Sequence, residues 1–503
     1  MGRKSRLAVT SISSLILHIT SIVSGFILPK LLISTYGSEI NGLVNSIAQF
    51  LYVIAFLELG VGAVVQSALY KPLAEKDELQ TSRIVASANK FFRTIAYILI
   101  AYILVLIIFY PVIIDAGFSF IYTATLILSM SLSYFAEYYF GIVERLLLTA
   151  DQKGYVQYNA HTITLILNTL ACTILIRSGA GIQIVKLAAS VIFILRPLFL
   201  RCYVDRHYSI RRDIQYTEEP IGQKWNGIAQ HIAAVILDQT DPIVLTLFST
   251  LSNVSVYSVY HLVVYGVKNL FISLTSGIQA LFGELWAKEE FDELKETFSW
   301  AEWAGHTGVT LIFGCTASLI VPFVRVYTDG ITDADYIVPV FGFLITLANA
   351  MHCLNLPYNI MILAGGHYKQ TQRNYLIAAA GNIMISVITV RIWGLIGVAI
   401  GTLAAMVYQT LWMAWYDSRN FFCTSMGTFF KHLAIDIISF AIAFRLASLL
   451  PFETISYFSW ILLAVKAFFI WFGIVLGMNV LFYRKFTSRL FHMITNRLPH
   501  HTP

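Results

Sequence analysis

The 503-residue chain is 57% hydrophobic and only 12% charged, about half the charged fraction of an ordinary soluble domain. That deficit leaves no water-facing surface and, with no GxxxxGK loop, HExxH or Gly-rich dinucleotide fingerprint, excludes a soluble enzyme, a nucleic-acid binder and an ATP-hydrolysing pump within the chain. Apolar stretches of about 20 residues, each able to cross a roughly 30 Å hydrocarbon core, recur along nearly the whole length, so the bilayer is the main solvent.

The opening MGRKSR precedes an apolar run that continues to Ser34 without a small-residue cleavage pattern, which predicts a retained first span. Apolar windows between charged or turn-forming breaks predict fourteen helices, centred near residues 20, 56, 100, 131, 167, 192, 236, 269, 312, 350, 382, 405, 440 and 470. The breaks alternate in character. KPLAEKDELQTSR, ERLLLTADQKG, DRHYSIRRDIQYTEEPIGQK, WAKEEFDELKE, GGHYKQTQR and DSRNFFCTSMGTFFK are basic or mixed, whereas STYGSE, DAGFSF, TLSN and PFETIS carry no Lys or Arg. The basic set is expected in the cytoplasm, and 25 of the 34 Lys and Arg then lie there or at its edges. Both termini are expected inside a bacterial cytoplasmic membrane. No break is long enough for a soluble catalytic domain, so no enzyme is expected. Cys172, Cys202, Cys315, Cys353 and Cys423 stand singly, without the pairing of a zinc site or a disulfide framework, and no metal or cofactor is expected.

The chain aligns with itself at an offset of 214: ILNTLACTILIRSGAGIQ over GNIMISVITVRIWGLIGV matches Asn168 with Asn382, Ile174 with Ile388, Arg177 with Arg391 and Ile182 with Ile396. Six spans per repeat is an even number, so the repeats share one orientation. The expected fold is an all-α integral membrane protein: two parallel six-helix repeats (1–210 and 211–420) plus an extra helix pair and basic tail (421–503). Parallel repeats of this kind rock about a central cavity to give alternating access.

Ionisable residues at membrane depth normally face a wet cavity or a partner. Asp238 and Asp241 lie three residues apart on one helix face before Pro242. They either share a proton or bind a cation, which makes them ion-coupling candidates for H+ or Na+, or each is neutralised by a structural Lys or Arg. Arg196, Lys268 and Glu58 each stand amid apolar residues. Arg196 and Lys268 offer cations to a diphosphate or snorkel to an interface. Arg145 joins the cavity candidates, with interfacial pairing to Glu137 and Glu144 as the other reading. His352, Asn355 and Pro357 predict a kink in the tenth span. Asp436, Arg445 and Lys466 pair with one another or contact lipid headgroups, and Gly397 with Gly401 forms a small-xxx-small pair for close helix packing.

The hairpin FILPKLLISTYGSEINGLVNSIAQFLYVIAFLELGVGAVVQSALYKPLA resembles the opening of the Wzx-type polysaccharide flippases through Leu28, Pro29, Gly37, Glu39, Gly42 and Leu43, with Asn41 where that family usually has tyrosine. The resemblance implies membership of the multidrug/oligosaccharidyl-lipid/polysaccharide exporter superfamily. It also implies a flippase that carries undecaprenyl-diphosphate-linked oligosaccharide units outward for capsule, O-antigen or other surface polysaccharide. Expected partners are that lipid-linked oligosaccharide, membrane lipids and other polysaccharide-assembly proteins. An ion-coupled drug/cation antiporter of the same superfamily is the alternative, kept open by the acidic residues. A membrane-embedded polymerase or ligase would need a sizeable outer loop or an acidic soluble motif that this sequence lacks.

Overall fold

The computed structural model describes residues 3–495 except 59, 115–116, 213, 215–218, 222–227, 276–277, 423–424 and 453. Hydrocarbon offers backbone groups no water, so each segment must bond internally. The described residues accordingly form helices and no strand.

In chain order, α1 (Arg3–Tyr36) is followed by α2 (Ser38–Tyr52), a 3-10 segment (Val53–Glu58) and α3 (Val61–Glu75), which starts after Gly60 in the left-handed region. Next come α4 (Glu78–Ile113), α5 (Phe120–Ala136), a π turn (Glu137–Gly141), α6 (Ile142–Ala150), α7 (Gly154–Arg177) and α8 (Ile182–His207). The chain continues through α9 (Ile228–Phe248), α10 (Leu251–Thr275), α11 (Ile278–Ala287), α12 (Phe291–Tyr327), α13 (Pro339–Ala364), α14 (Tyr368–Trp393) and α15 (Leu395–Asn420). It closes with α16 (Gly427–Ala447), α17 (Tyr457–Phe482) and the short basic α18 (Arg484–Thr495). Each of the fourteen expected centres falls in a helical segment. Eleven segments among the described residues are long and apolar enough to cross a membrane, and the protein is a polytopic membrane protein.

The helices overrun their apolar windows. Three of the polar breaks shrink to tight turns through residues with positive φ, Lys76, Gln152 and Glu289, so α4 and α12 run to 36 and 37 residues, about 54 Å at 1.5 Å per residue. Asp77 caps α4 by accepting from the Gln80 N–H. Pro242 and Pro357 end neither α9 nor α13; the Thr246 hydroxyl instead donates to the Pro242 carbonyl, 2.7 Å away.

Helix limits recur along the chain. The starts of α4, α7 and α8 reappear 213 or 214 positions later as the starts of α12, α14 and α15. Asn41 and Ser255, themselves 214 positions apart, are hydrogen-bonded at 2.7 Å.

By packing, the chain forms two compact units, 1–258 and 259–503. The limits expected at 210 and 420 are limits of a duplication, a different quantity, and remain an expectation. In the first unit Ile47, Leu51, Val65, Leu69, Phe92, Leu99 and Leu126 share one buried core. In the second, Trp471 of α17 is fully buried, its ring so close to Gly314 of α12 that a Cβ there would lie 2.1 Å from it. The Trp471 indole N–H donates to the Ser318 hydroxyl at 3.1 Å.

The expected close packing at Gly397 and Gly401 is present. A Cβ on Gly397 would lie 2.3 Å from the Thr389 carbonyl oxygen, and one on Gly401 2.1 Å from the Ser386 hydroxyl, so α14 and α15 touch along their backbones. Gly397→Ala should therefore destabilise by about 1–3 kcal/mol, read as a lower midpoint of thermal unfolding in detergent. Gly381→Ala on α14, where no atom lies within 4 Å of the added Cβ, should leave the midpoint unchanged or raise it slightly.

Candidate functional site

The candidate site of the first unit is organised by the π turn Glu137–Gly141, whose extra backbone residue re-aims five consecutive side chains. Glu137 is its hub: Arg196 Nη2 of α8 donates to Glu137 Oε2 at 2.7 Å, and Arg145 Nη1 of α6 lies 3.7 Å from Glu137 Oε1. Both Arg196 and Glu137 keep about a fifth of their side-chain surface open. His161 of α7 lies within electrostatic range of Arg196, Glu137 and Arg145. Gly141 is obligatory here, because a Cβ would lie 2.8 Å from both Glu137 Oε2 and Pro197 Cβ.

The other turn residues recruit their own partners. Tyr138 donates its hydroxyl proton to Glu58 Oε1 at 2.7 Å, which ties the end of the 3-10 segment to the π turn. Arg93 stands over the Tyr139 ring, 5.0 Å from its centroid, and Arg201 over Phe140 at 5.4 Å. Four arginines (Arg93, Arg145, Arg196, Arg201) thus surround the turn, with Glu137 in it, Glu58 hydrogen-bonded to its Tyr138 and Glu144 within electrostatic range of Arg201. The excess of fixed positive charge suits an anionic, diphosphate-like group, for which a guanidinium offers a bidentate fork.

The residues expected from sequence are divided by the fold. Arg196, Arg145 and Glu58 converge on the π turn. Glu144, grouped with Arg145 in the expectation, is instead buried and takes Arg212 Nη1 at 2.8 Å, while Arg212 Nη2 also reaches Asp205. Asp241 is buried and accepts from the Tyr257 hydroxyl at 3.2 Å; the side chain of Asp238 lies outside the described residues. Lys268 belongs to the second unit, buried, with its ammonium 5.4 Å from the Tyr265 centroid. His161 and Arg93 carry no signal in the sequence pattern, and the run EYYFG between two apolar stretches is the one signal of the hub role of Glu137.

A cavity of about 490 Å³ at the end of the first unit collects Arg6, Lys76, Lys153 and His207 with Glu78 and Asp151. Lys153 pairs with Asp151 at 2.7 Å, and Tyr208 donates to the same carboxylate at 2.6 Å. Burial, then the Asp151 carboxylate, hold the Tyr208 phenol above its ordinary range, so it remains a hydrogen-bond donor at neutral pH.

Asp436 is a correction of partner. It pairs not with Arg445 or Lys466 but with α12, lying 2.5 Å from His306 Nδ1 and accepting from the Thr310 hydroxyl at 2.8 Å. It borders a largely apolar cavity of about 300 Å³ among α12, α13 and α16.

If the Arg196–Glu137 pair organises the turn, removing either member should expose the cost of the other. Arg196→Ala and Glu137→Gln should each lower the thermal midpoint, and the double variant should cost less than the two together, with a coupling of about 0.5–3 kcal/mol. Strict additivity would mean that the pair does no structural work.

No protein-family model and no curated protein sequence matches the chain. Solved structures do. The lipid II flippase MurJ, in an inward closed conformation, superposes with a TM-score of 0.72 over 95% of this chain and 99% of its own, at 15% identity. An inward-facing multidrug resistance MATE family transporter of the MOP superfamily gives a TM-score of 0.58 over 81% and 98%, at 12% identity. A mutant of the Vibrio cholerae MATE transporter VcmN gives 0.54 over 82% and 96%, at 14% identity. At these identities the likeness concerns the fold alone: the chain shares the fold of these flippase and MATE transporter structures.

Proposed function

We propose that the protein is a flippase that moves undecaprenyl-diphosphate-linked oligosaccharide units across the bacterial cytoplasmic membrane by alternating access, for surface polysaccharide synthesis. The observation that carries this reading is the set of four arginines around the Glu137 turn inside the first unit. A diphosphate crossing the bilayer loses its hydration, and guanidinium groups already held by Glu137 and by aromatic faces replace it. Binding requires the diphosphate to compete with Glu137 for Arg196 and Arg145, so the acid also provides a means of release. Support comes from the fold shared over 95% of the chain with a protein described as a lipid II flippase, whose named cargo is likewise lipid-linked.

In this reading both termini are cytoplasmic, and the cavity of Arg6, Lys76 and Lys153 lies at the loading end, where the headgroup is first met. Transport draws on H+ or Na+ or on downstream consumption of the product, and the chain does no covalent chemistry. An ion-coupled cation antiporter is the second reading, favoured by the buried carboxylate of Asp241 and by the MATE folds.

The test is reconstitution into liposomes with a lipid-linked oligosaccharide whose sugar is accessible to an external glycosidase or lectin only after flipping. The wild-type protein should translocate it, and Arg196→Ala should slow the initial rate about tenfold or more, a barrier change of roughly 1.4 kcal/mol. Transport of cationic dyes instead, with Arg196→Ala indistinguishable from wild type, would overturn the proposal.

A further inference from the structure

The second unit holds a cluster of titratable side chains that the proposed translocation pathway does not use. Its centre is a small cavity of about 70 Å³ among α12, α13, α15 and the start of α16, with Glu302 and Asp417 in its lining. Sequence reading placed Asp417 in a polar break; α15 in fact runs through it to Asn420, and only 1% of the residue is exposed. Neither carboxylate oxygen of Asp417 has a hydrogen-bond partner. Glu302, 7% exposed, accepts the Tyr358 hydroxyl on Oε1 at 2.7 Å and has His432 Nε2 4.0 Å from Oε2. The two acids interact electrostatically.

The charges around them do not neutralise the pair. On α12, Lys295 sits exposed at the cavity rim, and His306 has given Nδ1 to Asp436 while its buried Nε2 stands without a partner. On α16, Lys431 lies over the Tyr483 ring, and His432 Nδ1 meets the Tyr483 hydroxyl at 2.6 Å. On α15, Arg419 lies over Trp415. Two buried carboxylates that line one small cavity, one of them with no hydrogen-bond partner, resist ionising together unless a positive species binds.

We propose that Glu302 and Asp417 form a proton-binding site in the second unit, a carboxyl pair that takes up and releases one shared proton. A proton fits better than a metal ion for two reasons. The described residues contain no group of three His, Cys, Asp or Glu able to hold a metal, and the nearby Ser299 and Ser418 hydroxyls donate to carbonyls of their own helices, whereas hard cations gather about six or more oxygens. The proton resides on Asp417 or Glu302 across the cavity they share, with the Tyr358 hydroxyl on Glu302 Oε1 and His432 Nε2 4.0 Å from Glu302 Oε2. Loss of the proton leaves two repelling anions between α12 and α15. The site is independent of the cargo, since a coupling proton binds here whatever the substrate.

The experiment is infrared difference spectroscopy of the full chain in lipid nanodiscs, titrated from acid to alkaline pH with no substrate. The wild type should show a protonated carboxyl C=O band that vanishes with rising pH. Asp417→Asn and Glu302→Gln should each remove part of that band and move the midpoint of what remains by about one pH unit or more, the signature of coupled sites. Tyr358→Phe, which deletes only a hydroxyl, should also move the midpoint and serves where the carboxyl variants do not fold. Glu296→Gln, an exposed acid on α12 paired with Arg489, should change neither. Unchanged bands and midpoints in the folded variants overturn the proposal, as does a band that sodium abolishes at constant pH, which would make the pair a cation site. Because no substrate is present, failure here leaves the flippase reading untouched.

Discussion

The ion pair between Arg196 and Glu137, 2.7 Å long, is the contact on which the first unit's interior depends. A guanidinium and a carboxylate at membrane depth each carry a desolvation cost of several kcal/mol, and only mutual pairing offsets it. The pair joins α8 to the point where α5 passes into α6 through a π turn. That turn rotates Tyr138 toward Glu58 and presents Tyr139 and Phe140 to Arg93 and Arg201. A Cβ added at Gly141 would lie 2.8 Å from Pro197 Cβ, so α8 packs directly on the backbone of the turn. Charge pairing, helix irregularity and aromatic placement are thus one arrangement.

The same constraint governs the second unit with a different result. Instead of arginines around one acid, α12, α13, α15 and α16 bring together Glu302, Asp417, His306, His432 and Asp436. Among the described residues the contacts there between groups of opposite potential charge are His306–Asp436 at 2.5 Å and His432–Glu302 at 4.0 Å. The cluster around the π turn therefore holds several permanent cations, and the cluster of the second unit holds groups that change charge by binding protons. In the proposed function the first cluster takes the anionic cargo, and the proposed coupling proton belongs to the second.

Much of the fold was legible because hydrocarbon enforces a simple rule: apolar windows become helices, and all fourteen centres fall in helical segments. The duplication was legible from Asn168, Asn382, Arg177 and Arg391, and helix starts recur at the same offset. Helix ends were less legible, since charged residues such as Glu78, Asp292 and Asp417 continue a helix into the headgroup region as readily as they leave it. The site was legible in its charged members and illegible in its pairings. Arg196 and Glu137 are 59 positions apart, and His306 and Asp436 are 130 apart, so no local pattern joins them. Spacing placed Asp436 with Arg445 and Lys466 because they share the extra helices, whereas α16 packs its Asp436 face on α12. The irregular π turn left only the weak trace of three aromatics before a glycine.

The most direct test of the cargo is native mass spectrometry of the purified protein in lipid nanodiscs with added polyprenyl-diphosphate oligosaccharide. The account predicts a one-to-one complex that survives exchange into monophosphate lipid and is lost in Arg196→Ala. Retention of the complex in that variant, or binding of organic cations in place of the lipid-linked sugar, would contradict it.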